Sequence, residues 1–243
     1  MTATTDLQDI KISGSGKLLG GRYNQVKISG SGKIGGEIEA NRVKISGSGS
    51  VEGKAVIKEL NVSGSCSFHD HLGGESCEVS GSIRAKGNVH MERLKVSGAF
   101  TCSQSVRSED IHIRGSIKAD KIETEEFRLE GSMNIRKELN ANVADIILYG
   151  PCRANEIGGE TISVYSHHSQ PGLIRALLSL FQGQHMLTSD LIEGTNVYLE
   201  NTRAKIVRGG QVKIGPGCQI ERVEYMDSLD VSPEARVGDA VQI

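Results

Sequence analysis

The sequence predicts an all-β fold, a three-sided parallel β-helix of about 16–17 residues per coil, with one helical insertion near residues 171–185. Three observations carry this reading. A short motif recurs nine times at near-constant spacing. Apolar and polar residues alternate through every copy. Glycine is abundant (30 of 243 residues) while aromatics make up 4% and Trp is absent. Average glycine usage is roughly 7%, so the excess needs a cause. Collagen is excluded because Gly does not recur at every third position.

The repeat starts with IKISGSG at Ile10 and returns as VKISGSG at Val26 and Val43. Degraded copies follow, from LNVSGSC at Leu60 to IILYGPC at Ile146. The anchor glycines are Gly14, Gly30, Gly47, Gly64, Gly81, Gly98, Gly115, Gly131 and Gly150, most of them 16 or 17 apart. Helical repeats start at roughly 33 residues, so this period does not suit them.

Four and two residues before each anchor the side chains are apolar, as in Val43 and Ile45 or Leu94 and Val96. Two and four residues after it they are small or apolar, from Gly16 and Leu18 to Cys152 and Ala154. Lys and Arg occupy odd offsets between them. That is the period-two pattern of strands with one buried face. A further apolar position recurs seven or eight residues after most anchors, as in Ile38, Leu72 and Ile122. Each repeat thus supplies three short inward-facing segments, one per side. The anchor is expected to turn the chain between sides with φ > 0, which Gly adopts cheaply. Ser residues flanking the anchors are expected to bond from coil to coil.

The order of segments is then a short flexible start at residues 1–9 and regular coils over 10–166. A helical insertion over 167–190 and C-terminal coils over 191–243 follow. The insertion is read from QPGLIRALLSLFQGQ, where Pro171 suits a helix start. NVYLEN and QVKIGPGCQI resume the alternation, for about a dozen coils in all.

The formal net charge of −2 excludes nucleic acid as a partner on charge grounds. MTATTDLQD has no basic start or apolar run, so no signal peptide is expected. With five unframed cysteines, this points to the cytoplasm and free thiols.

The run VKISGSGKIGGEIEANRVKISGSGSVEGKAVIKELNVSGS resembles the bactofilins, the polymer-forming bacterial cytoskeletal family. The segment IEGTNVYLENTRAKIVRGGQVKIGPGCQIERVEY looks like the longer bactofilin-like proteins of Gram-positive spore-formers. The resemblance implies a right-handed β-helix that assembles end to end into nonpolar filaments without nucleotide. Such filaments serve cell shape, polar organelles or motility structures. Two features depart from the family pattern: almost no Pro-rich tails, and the expected insertion.

Solenoid ends expose unpaired strands and apolar side chains. Leu7, Ile10 and Ile12 at one end and Val237, Val241 and Ile243 at the other are therefore the candidate polymerisation residues, with head-to-head or tail-to-tail stacking expected. Leu173, Ile174, Leu177, Leu178 and Phe181 are candidates for a partner or membrane contact. The stripe Lys11, Lys27, Lys44, Lys95 and Arg128 reads as a solvated face. Beyond itself, the chain is expected to meet a membrane surface or cell-envelope proteins.

Cys66, His69, His71 and Cys77 have the residue types of a zinc site. The register sends the two thiols inward and His69 outward, so no metal is expected. His167, His168 and His185 lack an evident nucleophile or carboxylate partner and read as loop residues. The glycine-rich GSGKLLGG from Gly14 leads to a strand and not a helix, so it is no phosphate cradle. No catalytic residue, cofactor or small-molecule substrate is expected. The alternatives are a β-helical enzyme, either an acyltransferase or a polysaccharide-active protein, and a surface adhesin. A 17-residue step does not fit the hexapeptide period of acyltransferase coils. The missing leader opposes secretion.

Overall fold

The computed structural model describes residues 7–166 and 185–243. They form an all-β parallel β-solenoid of about 13 turns, with no helix among the described residues. Its strands pair in parallel. The chain divides after Ile111 into two compact units.

Unit 1 holds β1 (Gln8–Ile12), β2 (Ser15–Ile28), β3 (Ser31–Ile45), β4 (Ser48–Val51) and β5 (Ala55–Val62). It continues through β6 (Ser65–Phe68), β7 (Leu72–Val79), β8 (Ser82–Ala85), β9 (Val89–Val96) and β10 (Ala99–Cys102) to β11 (Ser105–Ile113), whose last residues lie past the boundary. Pairing follows the repeat: β3 pairs with β5, β5 with β7 and β7 with β9 on one track. β4, β6, β8 and β10 stack on another. Each step advances one repeat, as in Leu60 beside Cys77 and Cys77 beside Leu94.

The inward columns are those of the sequence pattern. Val26, Ile28, Ile34, Val43, Ile45, Leu60 and Phe68 are fully buried or nearly so. The third side carries two inward columns, as in Ile38 with Ala40 and Ala55 with Ile57. The residues between them face solvent and pair along the stack. Arg42 Nε donates to Glu59 at 2.8 Å and Lys33 Nζ lies 3.0 Å from Glu52. The Ser82 hydroxyl donates to that of Ser65 at 3.0 Å, the coil-to-coil bond expected of the flanking serines.

The anchors need glycine for a different reason from the expected one. No anchor among Gly30, Gly47, Gly64, Gly81, Gly98 and Gly131 has positive φ. A Cβ added at any of them would lie 1.9–2.2 Å from the carbonyl oxygen of the preceding anchor. Backbone stacks directly on backbone at this corner, and only a residue without Cβ allows it. Positive φ occurs elsewhere, at Gly36 (113°), Gly217 (75°) and Asn201 (43°).

Unit 2 holds β12 (Ser116–Ser166), β13 (Leu187–Leu199), β14 (Thr202–Ile214), β15 (Gln219–Val231) and β16 (Arg236–Gln242). The assigned strand β12 runs through several corners because the backbone stays paired around them. β13 lies in register on β12, with Cys152 beside Leu187 and Val164 beside Leu199. The coil therefore resumes at Leu187, within the 167–190 stretch assigned to the insertion from sequence. β12 ends at Ser166 and the next described strand, β13, begins at Leu187. The helix expected at 171–185 falls almost wholly on residues 167–184, outside the described residues, as do Leu173, Ile174, Leu177, Leu178, Phe181, His167 and His168.

Candidate functional site

Each coil seals its neighbour, so an outermost coil keeps one side unsealed. In unit 1 that coil is β1 plus the first half of β2. Leu7, Ile10, Ile12 and Leu18 are half-buried there, whereas Val26, Ile28 and Ile34, one turn on, are 0% exposed. Gly14 has no atom within 4 Å of an added Cβ, because no described backbone lies beneath it. In unit 2 the outermost coil is the end of β15 plus β16. Val237 is half-buried and Ala240 exposed, against 3% for Ile220 and 0% for Val223, their partners one turn inside, whereas Val241 (36%) follows the outward column of Glu224 and Ile243 (58%) is also exposed. β16 pairs only with β15. The sequence-predicted residues thus gather into two groups, one on the outer coil of each unit.

Four residues of these surfaces escaped the sequence reading. Leu19 is 80% exposed, the most exposed large apolar side chain among the described residues. Its signal was present: Leu18 and Leu19 are adjacent, and strict alternation sends one of them outward. Val231 (38%) occupies an inward column but has no coil beyond it. Met226 (56%) and Ala240 complete the C-terminal patch.

Charge divides the two coils. The N-terminal one carries Lys11, Lys17 and Arg22 against Asp9. Arg22 pairs with Glu39 at 3.1 Å, and Asp9 accepts from Asn24 at 2.8 Å. Lys11 and Lys17 make no ion pair among the described residues. The C-terminal coil carries Asp227, Asp230, Glu234 and Asp239 against Arg236. Asp230 lies 3.5 Å from Lys213 of the coil before it.

The remaining candidates do not converge into a chemical site. Cys66 and Cys77 are buried in their inward columns, while His69 is exposed and 3.9 Å from Glu52. Burial pushes the Cys66 thiol up to about 12 and raises that of Cys77 as well. All five cysteines are buried and free. Among the described residues no group of three or more His, Cys, Asp and Glu is placed to hold a metal ion. His185 is exposed. The lysine stripe stands in register, Lys11 beside Lys27 and Lys27 beside Lys44, until Asn61 and Glu78 interrupt it. An open groove of about 530 Å³ follows Gly16, Gly32 and Gly49, where inward-column residues lack side chains. Ile28 and Ile45 fill the space beneath Gly32 and Gly49. No described helix is long and apolar enough to cross a membrane.

One carboxylate ties Ser166, the last residue of β12, to the end of β13. Glu200, 8% exposed, accepts from the Ser166 backbone N–H at 2.9 Å and from its hydroxyl at 2.7 Å. The Tyr198 hydroxyl also donates to Glu200, which pushes that phenol up to about 12. Lys213 Nζ sits 5.9 Å from the Tyr198 ring centroid, and the Tyr165 ring packs tilted beside it.

No family model and no solved structure matches this chain. Two curated proteins of Bacillus subtilis (strain 168) are similar to it. The uncharacterized protein YhbE is 40% identical over 106 residues, 43% of each chain. The uncharacterized protein YhbF is 40% identical over 88 residues, 36% of this chain and 34% of its own. The matches span less than half the length of either relative.

Proposed function

We propose that this chain is a structural, non-enzymatic scaffold that polymerises without nucleotide through its end coils. On this reading it is a bactofilin-like, right-handed β-helix in the cytoplasm. It organises cell shape, polar structures or motility structures, in contact with a membrane surface or cell-envelope proteins. One observation carries the reading. Apolar columns that are sealed to 0–3% exposure one turn inside become half-buried or exposed at both outer coils. Each outer coil also presents an unpaired strand edge, the geometry that templates pairing with another chain.

Light scattering and negative-stain microscopy of purified protein test it, with wild type compared to Ile10→Asp and Val237→Asp. Wild type is expected to form long particles without nucleotide. Each variant is expected to stay dispersed while keeping the wild-type circular dichroism spectrum. A wild-type chain that stays monomeric at high concentration refutes the scaffold reading.

A further inference from the structure

We infer that the corner formed by the first three repeats is an electrostatic docking edge for an anionic lipid surface. The inference rests on the membrane contact in the reading above and gives that contact a place on the chain. Three copies of one motif build the edge: KISGSGK from Lys11, KISGSGK from Lys27 and KISGSGS from Lys44. On one side of the corner Lys11 stands in register beside Lys27, and Lys27 beside Lys44. On the other side Lys17 stands beside Lys33. All five lysines are exposed, and the crest between the two rows carries serine and glycine.

Neighbouring strands lie about 4.8 Å apart, so each row stacks like charges at that spacing. Like charges directly opposite one another across strands are destabilising. Elsewhere neighbouring coils set opposite charges side by side. Arg42 meets Glu59 at 2.8 Å, Lys205 meets Asp190 at 2.8 Å and Lys213 meets Asp230 at 3.5 Å. At the edge only Lys33 has such a partner, Glu52 at 3.0 Å. Lys11, Lys17, Lys27 and Lys44 form no ion pair among the described residues. The sheet does not require Lys at these outward positions, since the same column continues with Asn61 and Glu78. Three near-identical copies thus hold positive charge that the fold leaves uncompensated. The open groove of about 530 Å³ runs beside Ser15, Ser31 and Ser48 on one rim and Lys17 and Lys33 on the other. Hydroxyl donors and ammonium groups there suit the phosphates of lipid headgroups. The two rows splay to either side of a corner, and their flexible four-carbon stems reach a flat surface together. Each lysine held near an anionic leaflet strengthens binding about fivefold. Stacked copies multiply the effect by avidity. The stripe read from sequence as a solvated face gains a partner at its first three positions. Lys95 and Arg128 lie beyond the interruption.

Vesicle flotation of the purified full chain tests the edge, since free particles sink while vesicles rise. Two compositions are compared, phosphatidylcholine alone and phosphatidylcholine with about one-third phosphatidylglycerol. Wild type is expected to float with the anionic vesicles alone and to be released at about 0.5 M sodium chloride. The Lys17→Gln, Lys27→Gln, Lys44→Gln variant is expected to lose about a hundredfold in partition coefficient. A control with the same charge change away from the corner, Lys54→Gln, Lys58→Gln, Lys86→Gln, is expected to stay within about threefold of wild type. Equal losses in the two variants, or equal flotation with both vesicle types, overturn the inference. Flotation kept by the corner variant but lost in Leu177→Glu, Leu178→Glu overturns it too. So does capture of soluble polyphosphate or a single-stranded oligonucleotide without flotation, which makes the partner a linear polyanion. As a second measurement, the urea midpoint of the corner variant is expected at or above that of wild type, because repulsion along the rows is relieved. A lower midpoint makes the rows structural and overturns the inference. A wild type that floats but never polymerises removes the scaffold reading and leaves the edge. Filaments that never float do the reverse.

Discussion

Adding one methyl group at Gly64 places a carbon 2.0 Å from the carbonyl oxygen of Gly47, well inside van der Waals contact. The nearby atoms are backbone, so no side chain can rotate away. Gly64→Ala must therefore spread two coils, and it is expected to cost about 3 kcal/mol. At Gly14 the same methyl group meets nothing within 4 Å. Gly14→Ala is expected to stay within about 0.5 kcal/mol of wild type. Urea unfolding of the two variants checks the contrast; equal losses would refute the stacking explanation of the anchors. The periodic glycines made the corner visible in the sequence. Their reason was not, because φ > 0 and backbone contact both select glycine, and only the neighbouring coil tells them apart.

At the scale of strands, stability runs along ladders of side chains bonded between successive coils. Glu224 on β15 accepts from Arg208 of β14 and from Arg222, each at 2.8 Å. These two guanidinium groups hold the Glu224 carboxyl below its usual range, and Arg42 does the same for Glu59. A carboxylate with a depressed folded pKa contributes stability that is present above its unfolded value, about 4.3, and lost as pH falls through the folded value. Urea midpoints are therefore expected to hold between pH 5 and 7 and to fall below about pH 4. Glu224→Gln lowers the midpoint at pH 6 and flattens part of the acid slope. An unchanged slope in that variant would remove Glu224 as a contributor.

Alternation along the chain placed nearly every strand of this kind, since columns such as Val43, Leu60 and Cys77 sit where the repeat puts them. The ladder partners were less legible. Arg42 and Glu59 are 17 residues apart, and nothing local in either segment marks the pair. The return point at Leu187 was hidden for a related reason. Met186 to Leu191 carries no glycine anchor, and the corner is held by Ser166 and Glu200, 34 residues apart. The end coils were legible only in part. Ile10, Ile12 and Val237 follow from the columns, but Leu19 follows from a break in alternation, and the opposed charges emerge only when both ends are compared.

For the molecule as a partner of its own copies, the sign of the salt effect separates the possible assemblies. Surface charges are screened over about 10 Å at 0.1 M ionic strength and about 3 Å at 1 M. If Lys11 meets Asp230 of another copy, added salt weakens an attraction. If either coil meets its own copy, salt relieves a repulsion and promotes assembly. Apolar contact through Ile10, Ile12, Val231 and Val237 does not supply the first sign, because burial of apolar surface is not weakened by screening. On the head-to-head or tail-to-tail stacking expected from sequence, light scattering at fixed protein concentration therefore rises from about 0.05 to about 0.5 M sodium chloride. Sodium sulfate strengthens apolar burial and is expected to raise the signal further at equal ionic strength. A signal that falls with sodium chloride would refute that stacking while leaving the apolar end coils as the driving surface.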